Sequence, residues 1–246
     1  MEMIFQQKFF VSDLEVDCFG KLKLSSLLFY VQEVAGRHCL QLGTDYDTLA
    51  KRRLFWAVTR HRVQVSRLPR RGETITVQTW PMPTTRVAYP RSVFAYDSQG
   101  NELFRCISLW VLMDLDSRAM VLPGKSGVEV NGIVQGNELE LPHSLASQSL
   151  CNSCVHTVTY SCLDRNGHMN NTKYLDWVED ILSSGFHKDH SAQEFVICYL
   201  NEARENQQIT LDWTLTEDGC LQVHAHREKT DVSGKQERVF SAQILF

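Results

Sequence analysis

Asp164-Arg-Asn-Gly-His168-Met-Asn-Asn-Thr-Lys-Tyr174-Leu-Asp-Trp177 is the stretch around which this chain is organised. It sets a carboxylate, an amide and an imidazole within five residues, directly before an apolar helical pattern. Asp17-Cys-Phe-Gly20 near the N-terminus is a reduced copy, again followed by an apolar helical pattern. The same offset of 147 residues links Asp17 to Asp164 and Gly20 to Gly167. A second offset, 134, links Ile75 to Ile209 and Gly100 to Gly234. Two consistent offsets indicate an internal duplication, with the second copy shorter between its helix and its later strands.

Each copy reads in the same order. In the first, a strand-like run Phe5 to Val11 precedes the turn. Leu24, Leu27, Leu28, Val31, Val34 and Ala35 then fall on one helical face. Gly43 suits the end of that helix. Four strand-like runs follow, Phe55 to Val65, Glu73 to Trp80, Arg91 to Tyr96 and Leu103 to Met113, with Asp97-Ser-Gln-Gly-Asn101 as a hairpin loop. In the second copy Val155 to Tyr160 is the first strand, and Tyr174, Trp177, Val178, Ile181 and Leu182 form the helical stripe. Asn170 or Asn171 suits its start and Gly185 its end. Strands are then expected over Phe195 to Leu200, Gln208 to Leu215, Cys220 to Arg227 and Arg238 to Phe246, with Asp231-Val-Ser-Gly-Lys235 as the matching loop. One strand, one long helix, then antiparallel strands is an α+β plan in which a curled sheet wraps a helix. Two such units can pair their sheets edge to edge, which removes exposed edges. The expected organisation is therefore a first domain over 1–122, a linker over 123–153 rich in Gly and Pro, and a second domain over 154–246.

Composition is that of an ordinary globular protein, 43% hydrophobic and 22% charged, with a net charge of −4. That balance gives no general attraction to nucleic acid or membrane, and no apolar run is long enough for a spanning helix. The start shows no secretory pattern, so a soluble, cytoplasmic protein is expected. The eight cysteines are scattered, as free thiols in a reducing compartment would be. Cys151 and Cys154 lack a second pair for zinc even with His156 nearby, and His224 and His226 alone are too few ligands. No metal or cofactor is expected.

Polar chemistry concentrates at the second turn. Asn-Gly favours a turn and Asp and Asn cap helices, so the stretch is also an ordinary turn. The first copy, however, has Phe19 where the second has Asn166 and Lys21 where it has His168. The turn itself therefore requires neither Asn nor His. Backbone N–H groups at a helix start, those of Gly167 and His168, suit a developing oxyanion. Glu202, in Tyr199-Leu-Asn-Glu202-Ala203, joins this site if the fold brings that strand end to the turn. A third feature is residues 51–71, with eight Lys or Arg and no acid. Arg52, Arg53, Arg70 and Arg71 within it are candidate contacts for an acidic partner, although solvated strand ends have the same composition.

Asp164, Asn166, His168, Asn170, Asn171, Lys173, Tyr174 and Trp177, with the Tyr199 to Glu202 strand, resemble the acyl-acyl carrier protein (acyl-ACP) thioesterases, the double hotdog enzymes of plants and bacteria. Ser108-Leu-Trp110-Val-Leu-Met-Asp114 followed by Arg118 is similar to a strand and turn of the same family. The resemblance spans nearly the whole chain. It implies two tandem hotdog domains and hydrolysis of a fatty acyl-ACP thioester to the free acid. Asp164, Asn166, His168 and Glu202 would be the catalytic set, and the first half would house the acyl chain. The implied partners are acyl carrier protein and the fatty acyl chain. Oligomeric state stays open, with a homodimer as one option. One departure is informative: the plant pattern carries Cys after the Glu, and this chain has Ala203. A thiolate at that position is excluded, and direct attack by water is the simpler mechanism. The base is either Glu202 or His168. Acyl-CoA hydrolysis, a 3-hydroxyacyl thioester dehydratase and a non-catalytic acyl-binding module are the alternative readings.

Overall fold

The computed structural model describes residues 3–134, 136, 139–146, 150–228 and 236–246. They divide into two compact units, 1–22 with 26–142 and 23–25 with 143–246.

In the first unit β1 (Phe5–Phe10) leads into the Asp17 turn and then α1 (Leu24–Gln41). The predicted stripe is the buried face of α1, from Leu24 through Leu27, Leu28, Val31 and Val34 to Ala35. Gly43 ends the helical region in the left-handed conformation that an L side chain adopts only with strain. A short helix, α2 (Tyr46–Ala50), is capped by Asp45, which accepts from the amides of Asp47 and Thr48. Strands β2 (Leu54–Val65), β3 (Thr74–Pro81), β4 (Tyr89–Tyr96) and β5 (Glu102–Asp114) follow, and β6 (Met120–Val121) pairs with β5. The sheet order is β1-β3-β4-β5-β2, antiparallel throughout. Helix α1 lies against this sheet: Tyr30 stacks on Phe9 at 4.6 Å and His38 meets Arg91 of β4. The 97–101 loop forms as expected, with Gly100 at φ +88° and Asp97 accepting from the amides of Gln99 and Asn101.

The segment expected as a plain linker has structure of its own. It opens with α3 (Pro123–Ser126), closed by Gly127 in the left-handed region. Val128 is buried with Leu49, Leu54, Tyr89 and Leu112, and the Tyr89 hydroxyl bonds Ser126 Oγ at 2.8 Å. Apolar contacts thus tie the residues after 122 into the first unit's core.

The second unit starts with β7 (Asn152–Thr157), three residues earlier than the alternation indicated, because residues 160–162 turn as a 3-10 segment instead. Only Tyr174, Trp177 and Val178 of the expected stripe lie on a helix, α4 (Lys173–Glu179); Ile181 and Leu182 fall in the turn before a second short helix, α5 (Ser184–Asp189). Ser183 caps α5 by accepting from the Phe186 amide, so Gly185, expected to end a long helix, sits inside the second one. Strands β8 (Glu194–Tyr199), β9 (Gln208–Leu215), β10 (Cys220–Glu228) and β11 (Gln236–Leu245) complete the unit. The expected loop over Asp231 to Lys235 lies outside the described residues. The sheet order is β8-β11-β10-β9-β7, again antiparallel. Reversed, this is the order of the first unit strand for strand, which is the duplication that the offsets in the sequence indicated. Tyr174 of α4 packs on Phe240 of β11 at 4.8 Å, and Trp177 stacks on His156 of β7 at 5.0 Å.

One core histidine has a measurable consequence. His61 is fully buried on β2, with its Nδ1 2.8 Å from Ser108 Oγ. Burial lowers its pKa to about 3. The folded state then keeps His61 neutral while the unfolded chain takes up a proton below about pH 6.5. This contribution to stability is complete above about pH 6.5 and is lost as pH falls toward about 3. Thermal melts between about pH 7 and pH 5 should show a steeper loss in the wild type than in His61→Gln. Equal slopes would contradict this account.

Candidate active site

The site is built on the second Asp–Gly turn. Asp164 shapes it: its Oδ1 accepts from the amides of Asn166 at 2.8 Å and His168 at 3.3 Å. Its own amide donates to the His168 carbonyl at 2.8 Å, and Gly167 N–H donates to the Asp164 carbonyl at 3.1 Å. Gly167 takes φ +74°. The first unit forms the same loop, with Asp17 Oδ1 accepting from Phe19 and Lys21 and Gly20 also at φ +74°. Asp and Gly are therefore what the turn needs. Asn166 and His168 are additions carried by the second copy alone.

The turn is stitched to the chain just after β8. Met169 N–H donates to the Ala203 carbonyl at 2.8 Å, and His168 bridges Arg204 in antiparallel fashion. Glu202 immediately precedes these contacts, and its Oε2 comes 3.1 Å from His168 Nε2. The imidazole side chain is 10% exposed and the carboxylate 44% exposed. The histidine is thus seated in the protein with the glutamate on its solvent side. Asn166 is exposed on the same turn, its Nδ2 a long 3.4 Å from Asp164 Oδ2. The four residues singled out in the sequence therefore gather in one place.

The oxyanion expectation needs correction. The N–H groups of Gly167 and His168 both donate inside the turn, to the Asp164 carbonyl and carboxylate. Helix α4 begins only at Lys173, so the turn does not sit at a helix start. Asn166 Nδ2 is an exposed side-chain amide on the same turn. Asn170 shapes the approach to α4 instead, its Oδ1 accepting from Thr172 N and Oγ1 at 3.0 Å each.

The support around Glu202 was not visible in sequence. Arg227 of β10 donates to the Glu202 carbonyl at 2.7 Å and to Gln207 Oε1 at 2.6 Å. Glu237 holds the same guanidinium through two bonds of 2.9 and 2.7 Å. Gln207 Oε1 also accepts from Arg204 N–H at 2.9 Å. This network fixes the backbone that carries the carboxylate. From below, Tyr174 is buried, its phenol pKa raised by that burial, with a hydrogen bond to the Ala203 backbone. Tyr199 donates to the Asn171 carbonyl at 3.0 Å. A charge pattern in sequence does not reveal such a clamp, because its partners come from three separate segments. Replacing Arg227 by Met should lower turnover about tenfold to a hundredfold through misplacement of Glu202, with KM changed little. Steady-state kinetics checks this, and unchanged turnover would show that the clamp is not needed.

Other expected features separate here. Cys198 is buried and donates to the His143 carbonyl at 3.5 Å, with no arrangement suited to a nucleophile. The register shift beside His226 leaves its extra residue, Val239, on β11, while β10 pairs with β9 without a break from Leu221 to His226. His226 meets Asp212 at 3.3 Å. Among the described residues, no group of three His, Cys, Asp or Glu is arranged to hold a metal ion. The basic run is also not a uniform positive surface. Arg53 pairs with Asp116, Arg71 with Asp13 and Arg67 with Glu73. Arg52 donates to the Ser126 carbonyl at 2.8 Å, and Arg70 is exposed. Acids distant in sequence neutralise much of what the window 51–71 shows as net charge.

Two helical layers, each against a five-stranded antiparallel sheet, make a double hotdog architecture, and the second copy carries a His–Glu pair at its turn. The family models for the acyl-ACP thioesterase N-terminal and C-terminal domains match residues 2–122 and 147–244. The chain belongs to the acyl-ACP thioesterase family. Curated relatives include a chloroplastic palmitoyl-acyl carrier protein thioesterase of Gossypium hirsutum, 26% identical over 81% of this chain and 52% of its own length. Another is a chloroplastic dodecanoyl-acyl-carrier-protein hydrolase of Cinnamomum camphora, 27% identical over 81% and 56%. The chain spans about half the length of these relatives. The fold matches the crystal structure of an acyl-ACP thioesterase from Bacteroides thetaiotaomicron with a TM-score of 0.89 at 22% identity, covering 99% of this chain and 98% of that one. It also matches a 12:0-ACP thioesterase from Umbellularia californica, TM-score 0.81 at 23% identity, over 100% and 97%.

Proposed function

We propose that the chain hydrolyses the thioester of fatty acyl-ACP, releasing the free fatty acid by direct attack of water. The observation that carries this reading is the 3.1 Å contact between His168 Nε2 and the solvent-side carboxylate of Glu202. Family membership and the names of the relatives support the substrate class.

Glu202 takes a proton from water as the oxygen attacks the thioester carbonyl. His168, behind it, orients the carboxylate by donating from Nε2. Asn166 donates its amide to the carbonyl oxygen as negative charge develops there. Collapse of the tetrahedral intermediate breaks the C–S bond, and the proton held at Glu202 passes to the leaving sulfur. Asp164 acts through the turn, holding Asn166 and His168 in place. Base help of this kind supplies about 10²–10⁴-fold and an oxyanion donor about 10²–10³-fold. With Ala203 beside the glutamate no thiolate is required.

The carrier reading rests on the family and on the basic residues. Arg52 and Arg53 precede the Leu54 end of β2 and Arg70 and Arg71 follow its Val65 end, so they offer two separate contacts to an acidic partner, of which Arg70 is the exposed one. The eight unpaired cysteines support a reducing compartment such as cytoplasm. The test is turnover of an acyl-ACP panel beside the matching acyl-CoA esters and a 3-hydroxyacyl thioester. Faster release from the carrier, with KM for acyl-ACP alone raised by Arg70→Glu, supports the proposal. Preference for coenzyme A esters, an enoyl product, or binding without turnover would each replace it with the corresponding alternative.

A further inference from the structure

The first unit holds a cavity of about 240 Å³ whose wall includes Gly36, Cys39, Trp56, Tyr89, Arg91 and Trp110. Most of this wall is apolar or aromatic, as ligand pockets usually are. Arg91 is the exception. It is 6% exposed, on β4, and points at α1. Its Nη1 donates to His38 Nδ1 at 3.1 Å and Thr79 Oγ1 at 3.2 Å, and its Nη2 meets Cys39 Sγ at 3.6 Å. Arginine offers only donors, so His38 accepts here and is itself neutral. None of these three partners is a carboxylate.

A guanidinium keeps its charge in proteins. Burial works against that charge, and a buried charge normally has an opposite one beside it. Among the described residues, no carboxylate lies within ion-pair distance of Arg91. The one acid in the cavity wall, Asp45, is committed to capping α2, accepting from Asp47 N, Thr48 N and Thr48 Oγ1. The cavity is thus a mostly apolar chamber with a fixed cation in its wall that no carboxylate among the described residues pairs with.

We propose that this chamber binds a medium-chain carboxylate, with the aliphatic body against Trp56, Tyr89 and Trp110 and the carboxylate as counter-ion to Arg91. A charge-assisted, two-pronged contact of this kind favours an anionic head over a neutral one of the same shape. The inference goes beyond hydrolysis: it assigns a carboxylate site within the first unit, whatever the turnover at His168 and Glu202. The same chemistry has two sources, a free fatty acid and an acyl chain that carries a carboxylate at its far end.

Calorimetric titration with octanoate and with octanamide tests it, in a Glu202→Gln background so that the site at His168 does not confuse the result. Octanoate should bind about tenfold or more tighter than octanamide, and Arg91→Met should abolish that preference. Gly36→Leu provides a variant that does not touch the buried guanidinium. Gly36 is an exposed part of the cavity wall where a Cβ meets nothing within 4 Å, and leucine favours the helix, so the fold should persist while the side chain obstructs the cavity's open side. Octanoate binding should be lost in it. Equal binding of the acid and the amide, or octanoate binding that survives Gly36→Leu, would overturn the proposal. Turnover of octanoyl and ω-carboxyoctanoyl thioesters by the wild type distinguishes the sources. Faster turnover of the second assigns the site to the acyl tail, and equal turnover beside octanoate binding assigns it to the free acid.

Discussion

Glu202→Gln should reduce hydrolysis of a long acyl-ACP by about 10²–10⁴-fold with the fold intact, because it removes the proton acceptor and keeps the shape. The carboxylate is solvent-facing, and the backbone that carries it is fixed separately, through Arg227 on the Glu202 carbonyl and Met169 on the Ala203 carbonyl. Glutamine can occupy the same place and still accept from His168 Nε2. His168→Ala should also lower turnover strongly, because the carboxylate then loses its orienting donor. The double variant should be little worse than the more damaged single one, since groups that act as a unit give non-additive losses. Circular dichroism controls for folding and kcat with acyl-ACP makes the measurement. Near wild-type turnover in both singles would remove this pair from the mechanism.

The second large effect concerns two glycines under the same backbone constraint. Gly167 and Gly20 both sit at φ +74°, and a Cβ at either would meet nothing within 4 Å. Alanine at each position therefore costs conformational strain without a clash, about 1–2 kcal/mol. Thermal melts of Gly167→Ala and Gly20→Ala should show similar destabilisation. Their activities should differ sharply. Gly167 joins Asn166 to His168, so relaxing its strain moves both side chains, and a shift of about 1 Å at a reacting group can cost about 10²-fold. Gly20 joins Phe19 to Lys21, neither of which the proposed chemistry uses. A matching loss of turnover in Gly20→Ala would mean that activity follows stability alone, and that the turn at 164–168 has no special role.

These glycines also show how far the sequence could be read. Position 20 and position 167 share an offset, a residue and a dihedral angle, so the duplication was visible in sequence and carried the strand order of both sheets with it. Asn166 and His168 were legible as candidates because a turn that tolerates Phe19 and Lys21 has no need of Asn and His, and Glu202 through the resemblance of the Tyr199 to Glu202 strand. What failed depended on non-local hydrogen bonding. The amides of Gly167 and His168 were expected to be open donors, but the Asp164 carboxylate and carbonyl accept from them. The apolar stripe through Leu182 gave one long helix, whereas the Ser183 hydroxyl starts a second helix there. Charge counting over 51–71 could not see Asp13, Asp116 and Glu73 arriving from elsewhere. Arg227 and Arg91 escaped notice for the same reason: a lone arginine in a strand pattern shows neither what it holds nor that it is buried.

The central claim, that water and not a side chain attacks the thioester, is tested most directly by a single turnover in oxygen-18 water with enzyme in excess. The account predicts fatty acid carrying one heavy oxygen from the first turnover and a peptide containing Glu202 of unchanged mass. Unlabelled acid in that first turnover, with the heavy oxygen found in Glu202, would show attack by the carboxylate itself and contradict it.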